Sequence, residues 1–288
     1  MKSVFIFISL LIMLCPAFSQ SRMEHYLDSL GLVNVGRMDP TLKIDLMYTR
    51  ADNFTGKVLY EDLQEAYLHP EAAKALLQAQ KRLKELYPGY SLIIYDAARP
   101  MSVQQKMWNV VKGTSQNIYV SNPARGGGLH NYGLAVDVSI ADEKGNPLPM
   151  GTKVDHLGKE AHIDTEAAMV QQGIITAQER KNRLLLRRVM TDAGYKPLRS
   201  EWWHFNFRSR EEAKPLHFIE EHREDDTRTL ALQSKKYPDV DMAAAVTQIA
   251  GRQVAARKIP SWYPVSALWY PPHLSMEQCS SEATALYK

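Results

Sequence analysis

The chain has 288 residues, with 35 Lys and Arg against 32 Asp and Glu, for a net charge of +3. The basic residues are scattered and interleaved with acids, which describes a solvated surface and argues against nucleic acid as the partner. No repeat or low-complexity tract is present.

The first nineteen residues read as a targeting segment. Lys2 supplies the positive start, Val4 to Leu14 is apolar apart from Ser9, and Ala17-Phe18-Ser19 fits a small-x-small cleavage site. The run is shorter than the ~20 apolar residues of a membrane span. Cys15 leaves a lipid-modified cysteine as the alternative, although bulky Leu14 fits poorly before it. No later segment is long and apolar enough to span a membrane. Cleavage after Ser19 leaves Cys279 as the only cysteine, so no internal disulfide can form and stability must come from a packed core. About 270 remaining residues suit one large domain, or one domain with an appendage.

Residues 22–60 mix short apolar stretches with turns and read as an N-terminal wrap. Glu71 to Leu86 is predicted helical, because Ala72, Ala75, Leu76, Ala79, Leu83 and Leu86 recur at three and four. Pro88-Gly89 ends it, and Ser91 to Tyr95 reads as a short buried strand. Pro100 opens a second helix, Met101 to Lys112. A turn-rich stretch to Asn131 follows, and Leu134 to Ile140 alternates as a strand. Thr176 and Glu179 form a capping-box pattern for a third helix, whose C-terminal cap falls at Gly194. In that helix Leu184, Leu185, Val189 and Met190 read as an apolar stripe, with Arg187-Arg188 as a basic flank. Trp202 to Phe207 is aromatic and strand-like. The pattern predicts an α+β domain over residues 20–214, with a small, mainly antiparallel sheet and flanking helices. From 215 to 288 the character changes to a C-terminal extension. His217 to Asp226 and Met242 to Arg257 are helix candidates there, and residues 260–272 are rich in Pro, Trp and Tyr.

Three stretches carry chemistry. On the strand Leu134 to Ile140, Ala135, Asp137 and Ser139 share one face while Leu134, Val136, Val138 and Ile140 share the other. Asp137 therefore sits opposite the apolar face between small neighbours. Gly133 allows a sharp bend that returns His130 toward it. Imidazole and carboxylate are good zinc ligands. Taken alone, however, a loop histidine and a strand aspartate would give the same pattern. In Glu201-Trp202-Trp203-His204-Phe205-Asn206-Phe207, alternation places Trp203, Phe205 and Phe207 inward and His204, Asn206 and Arg208 on the other face. His204 then completes a His-Asp-His set, whereas Glu201 would face away from His204 unless a bulge precedes Trp202. An aromatic core strand ended by a solvated glutamate is the plainer alternative. Arg99, held extended before Pro100, is either aimed into a cleft or paired with Asp96 at the surface.

His130 with Gly133-x-Ala135-x-Asp137, and Glu201-Trp202-Trp203-His204 downstream, resemble the zinc D-alanyl-D-alanine dipeptidases. That family includes the vancomycin-resistance dipeptidases and is related to the D-Ala-D-Ala carboxypeptidases and the Hedgehog fold. Asp45-Leu46-x-Tyr48, Asp52-Asn53-Phe54-Thr55-Gly56, Asp96-x-x-Arg99-Pro100 and Met150-Gly151-Thr152 with Asp155 extend the resemblance across roughly residues 40–210. It implies one zinc ion held by His130, Asp137 and His204. It further implies Glu201 as catalytic base and acid, Arg99 as transition-state stabiliser, and Asp155 as receiver of the substrate's amino group. A small D-dipeptide is then the substrate and the envelope or periplasm the location. Alternatives within the fold are a D,D-carboxypeptidase or an L,D-endopeptidase of cell-wall peptides, and, outside enzymes, a non-catalytic zinc-binding protein. Gly128 stands where the family carries serine, so a substrate hydrogen bond from that hydroxyl is expected to be missing.

Overall fold

The computed structural model describes residues 20–216 and 219–220. The expected targeting segment, both cysteines and almost all of the C-terminal extension, with its helix candidates, lie outside the described residues. Strands β1 (Val33–Asn34), β2 (Lys43–Ile44), β3 (Tyr67–Leu68), β4 (Ser91–Asp96), β5 (Ala135–Ala141), β6 (Lys196–Leu198) and β7 (Glu201–Asn206) form two sheets. β1 and β3 pair antiparallel, and the other five run in the order β2-β4-β5-β7-β6. Only the β2–β4 pair of that larger sheet is parallel, so the expected small, mainly antiparallel sheet is present.

β5 is the central strand, and every residue in it is buried. Val136, Val138 and Ile140 pack into the core, while Asp137 on the opposite face joins the floor of a cleft. Two irregularities in the sheet aim side chains at that floor. In β4 the pairing steps from Ile94–Val138 to Asp96–Asp137, so one extra residue, Tyr95, is accommodated and Asp96 shares a face with Asp137. In β7 the pairing with β6 jumps from Pro197–Phe205 to Leu198–Glu201. The predicted bulge therefore exists, but it falls within the strand and not before Trp202.

Helices α1 (Arg22–Ser29), α2 (Val35–Met38), α3 (Pro70–Leu86), α4 (Met101–Val111), α5 (Glu166–Gln171), α6 (Ala177–Asp192) and α7 (Arg210–Ala213) complete the fold. None of the described helices is long and apolar enough to cross a membrane. α3 buries the predicted stripe Ala72, Ala75, Leu76, Ala79 and Leu83. α6 has its Thr176–Glu179 capping box, and Gly194 follows it at φ +93°. Its buried side differs from the predicted one. Leu184 is 41% exposed, whereas Arg183 is fully buried beside Leu186, Val189 and Met190. The cause lies in a loop: Arg183 donates to the carbonyls of Met150 (2.6 Å) and Glu160 (3.0 Å), and its guanidinium lies over Trp202. A charged side chain turns inward here because it satisfies the backbone of the 150–160 loop. α1 and α5 were not anticipated, being too short to show periodicity.

α4 begins at Pro100 without a side-chain cap. The Met101 N–H is satisfied instead by the carbonyl of buried Ile219 (2.7 Å), whose own N–H donates to the carbonyl of Asn131 (2.7 Å).

Gly133 is the turn into β5, at φ +65°. A Cβ there would lie 2.9 Å from the backbone nitrogen of His69 and 3.0 Å from Leu32 Cδ2. Gly31 has a similar φ, +77°, with nothing within 4 Å. Gly31→Ala should therefore cost only the left-handed penalty, about 1–2 kcal/mol. Gly133→Ala adds overpacking and should cost about 2–4 kcal/mol. Denaturant unfolding of both variants measures the difference; equal losses would show that crowding at Gly133 contributes nothing.

Candidate metal centre

Two chain segments are stitched together before any ligand is placed. The Arg99 N–H donates to the carbonyl of His130 (3.0 Å), and Asn131 Nδ2 donates to the carbonyl of Arg99 (2.8 Å). Asn131 Oδ1 in turn accepts from the N–H of Gly128 (2.8 Å). His130 sits on the short helical turn Leu129–Tyr132, which Gly133 ends. β5 and β7 supply the other two candidates, and their register sets Asp137 directly opposite His204.

The three side chains meet. His130 Nε2 lies 3.1 Å from His204 Nδ1 and 3.3 Å from Asp137 Oδ1, and His204 Nδ1 lies 3.0 Å from that same oxygen. Among the described residues they form the one group of three such side chains able to hold a metal ion. The outer nitrogens fix the tautomers. His130 Nδ1 contacts the carbonyl of Ala97 at 2.7 Å, and His204 Nε2 contacts Asn206 Oδ1 at 2.8 Å. Both partners can only accept, so the outer nitrogens carry the protons and the inner ones present lone pairs. Three acceptors thus face a common point, and a single shared proton can bridge only two of them. A tetrahedral ion with ligands at ~2.0–2.1 Å has ligand-to-ligand edges of about 3.3 Å. The observed edges fit a metal of that size.

The surrounding charges are arranged to match. Burial opposes ionisation of Asp137, but an inward proton on His130, and then on His204, outweighs it and holds the carboxyl well below the usual range, as a cation at that point would. Arg99 is buried, not at the surface, and it is also paired with Asp96. Its Nε and Nη2 both donate to Asp96 Oδ2 (2.9 and 2.5 Å), and Nη1 donates to Gln104 Oε1 (2.9 Å). Burial works against its charge, yet Asp96 and the other acids prevail and it stays protonated. The guanidinium also lies over the Tyr48 ring and 3.7 Å from Asp137 Oδ2.

Glu201 is 8% exposed, and its Oε2 lies 3.9 Å from His204 Nδ1. Burial pushes its pKa up to about 7. Asp155 is raised to about 7 as well, again chiefly by burial. It is the only described non-glycine residue with positive φ, +65°, and strain of this kind persists where surrounding structure enforces it. Its Oδ1 accepts from the Tyr48 hydroxyl (2.8 Å), while its Oδ2 is buried with no partner. Burial, then the adjoining Asp155 carboxylate, raise the Tyr48 phenol well above its ordinary value, so it remains a donor.

All six residues singled out from sequence (Arg99, His130, Asp137, Asp155, Glu201 and His204) line one cleft of about 250 Å³. Sequence reasoning gave no role to Gln104, Ser121 or Tyr60, which also build or border the site; Tyr60 donates to Asp96 Oδ1 at 2.5 Å. Asn206 had a visible signal, since alternation put it on the His204 face. The others gave none: Ser121 and Tyr60 depend on loop paths, and Gln104 is a polar residue on the buried side of α4.

Similarity to known proteins places the chain in a family. The peptidase M15 family model, described as D-ala-D-ala dipeptidase, matches residues 28–222. The D-alanyl-D-alanine dipeptidase of Escherichia coli (strain K12) is 34% identical over 178 residues, covering 62% of this chain and 85% of that protein. The enzyme of the same name from Enterococcus faecium is 28% identical over 183 residues, covering 57% and 85%. That from Synechocystis sp. is 26% identical over 176 residues, covering 51% and 71%. The chain belongs to the peptidase M15 family of D-ala-D-ala dipeptidases and is a metallopeptidase.

Proposed function

We propose that the protein is a zinc-dependent dipeptidase that hydrolyses D-alanyl-D-alanine, or a similarly small D-amino-acid dipeptide, in the cell envelope. The observation that carries this reading is the convergence of three lone-pair donors, from His130, Asp137 and His204, beside the buried carboxyl of Glu201. Two imidazoles and one carboxylate suit zinc, and three protein ligands are the pattern of catalytic sites. When bound, the ion supplies Lewis acidity, which polarises an amide carbonyl and acidifies water.

The chain's own residues do the rest. Glu201 takes a proton from the attacking water and returns it to the leaving amine; a proton affinity near neutrality suits both tasks. Arg99, locked by Asp96 and Gln104, presents a permanent positive charge to the oxyanion that develops on the scissile carbonyl. Asp155 Oδ2, a buried acceptor with no partner, receives the substrate's ammonium group. An N-blocked peptide would leave that carboxylate buried and unpaired, which disfavours longer substrates. The names of the similar proteins support a dipeptide substrate. The apolar run Val4 to Leu14 behind Lys2 supports export.

Chelation should abolish turnover of D-Ala-D-Ala and added zinc should restore it, with one zinc per chain by metal analysis. Glu201→Gln should keep its zinc and lose about 10²–10⁴ in kcat; turnover near that of the parent would remove Glu201 from the mechanism. Asp155→Asn should lower kcat/KM for the free dipeptide by about 10- to 100-fold. A preference for intact cell-wall peptides over the free dipeptide would instead favour the carboxypeptidase or endopeptidase alternative.

The raised acids also set the pH dependence of the metal-free protein. Glu201 and Asp155 titrate near 7 when folded, against ordinary values of 4.5 and 3.8. Between those limits the folded state holds protons that the unfolded chain has released. Their stabilisation is complete below about pH 4 and is lost as pH rises through 7. Glu201→Gln should flatten that loss in denaturant unfolding of chelated protein between pH 4.5 and 8. An unchanged slope would show that Glu201 is ionised in the metal-free fold.

A further inference from the structure

Gly128 lies two residues before His130, at φ −115° and ψ 179°. That is extended backbone open to any residue, so conformation does not require glycine there. Space does. A Cβ on residue 128 would fall 2.9 Å from Ser121 Oγ and 3.3 Å from Ser121 Cβ. The serine that resemblance leads one to expect at 128 is absent, and the side chain of Ser121 borders the vacated volume.

Ser121 lines the cleft together with Arg99, His130 and Glu201. Its hydroxyl makes no hydrogen bond to any described residue, whereas its backbone is firmly held. Gln104, 1% exposed, accepts from Arg99 Nη1 and donates from Nε2 to the carbonyl of Ser121 (2.8 Å). One buried amide therefore ties the guanidinium and Ser121 to a common frame. The hydroxyl is positioned at the site wall with its donor and both lone pairs available.

We propose that Ser121 is a specificity-determining residue whose hydroxyl hydrogen-bonds the polar backbone of the bound dipeptide, and that Gly128 is glycine because Ser121 fills the space of a side chain there. The proposal rests on the dipeptidase reading above and adds a residue to it. It supplies from residue 121 the kind of hydrogen bond that residue 128 cannot make.

The exchange of positions supplies the test, with zinc-loaded protein and D-Ala-D-Ala. Ser121→Ala removes one oxygen from a partly exposed side chain and should raise KM about three- to ten-fold, with kcat within two-fold. Gly128→Ser alone should also raise KM, because its Cβ collides with Ser121. In the double variant Ser121→Ala/Gly128→Ser, a hydroxyl returns from the other side of the same space and KM should recover to within two- to three-fold of the parent. A Ser121→Ala KM within two-fold of the parent overturns the proposal, as does a loss confined to kcat. A double variant no better than the worse single variant overturns the shared position. Thermal melts of all three confirm folding, and a parent chain inactive on the dipeptide would refute the dipeptidase reading separately.

Discussion

Two imidazoles and a carboxylate whose lone pairs all point at one spot repel each other, and the fold holds them there nonetheless. The constraint comes from behind the rings: the carbonyl of Ala97 and the amide oxygen of Asn206 accept the only outward protons. Rotating either ring to relieve the repulsion would break one of these bonds in a buried place. A cation at that spot would resolve the conflict, and hydrogen-bond partners behind the rings orient metal ligands in this way in general. The Ala97 carbonyl belongs to the same segment as Asp96 and Arg99, so ligand orientation and guanidinium placement are set together.

That segment depends on a local fault in a sheet. With unbroken pairing, Tyr95 and not Asp96 would oppose Asp137, and Arg99 would lose its carboxylate anchor. The irregularity in β7 does the same for Glu201, which an ideal strand would turn away from His204. Both departures sit next to the site, where bulges commonly re-aim side chains. The strained backbone of Asp155 is a third device of this kind, enforced by a loop that the buried Arg183 holds by its carbonyls.

What could be read in advance follows from these facts. Alternation along β5 and β7 is a property of ideal strands, so the faces of Asp137, His204 and Phe205 were legible. So was the turn at Gly133, because a glycine before a strand marks a bend. Glu201 required a bulge that could be inferred but not located from pattern alone. The environment of Arg99 was half legible: its pairing with Asp96 follows from spacing, whereas its burial depends on Gln104 and Tyr48 arriving from other elements. Leu184 and Arg183 misled for a related reason. Hydrophobicity ranks a leucine inward, but unsatisfied loop carbonyls competed for that face and a guanidinium could satisfy them. Ser121 gave no signal, since only the path of the loop brings it over Gly128.

Ile219 joins the two halves of the site from outside it. Its peptide group bridges the start of α4, which carries Gln104, and the residue following His130. Shortening the protein upstream of that point would leave the Met101 N–H without its acceptor and the buried Asn131 carbonyl without its donor. The contacts that frame the site therefore reach past the place where sequence composition changes.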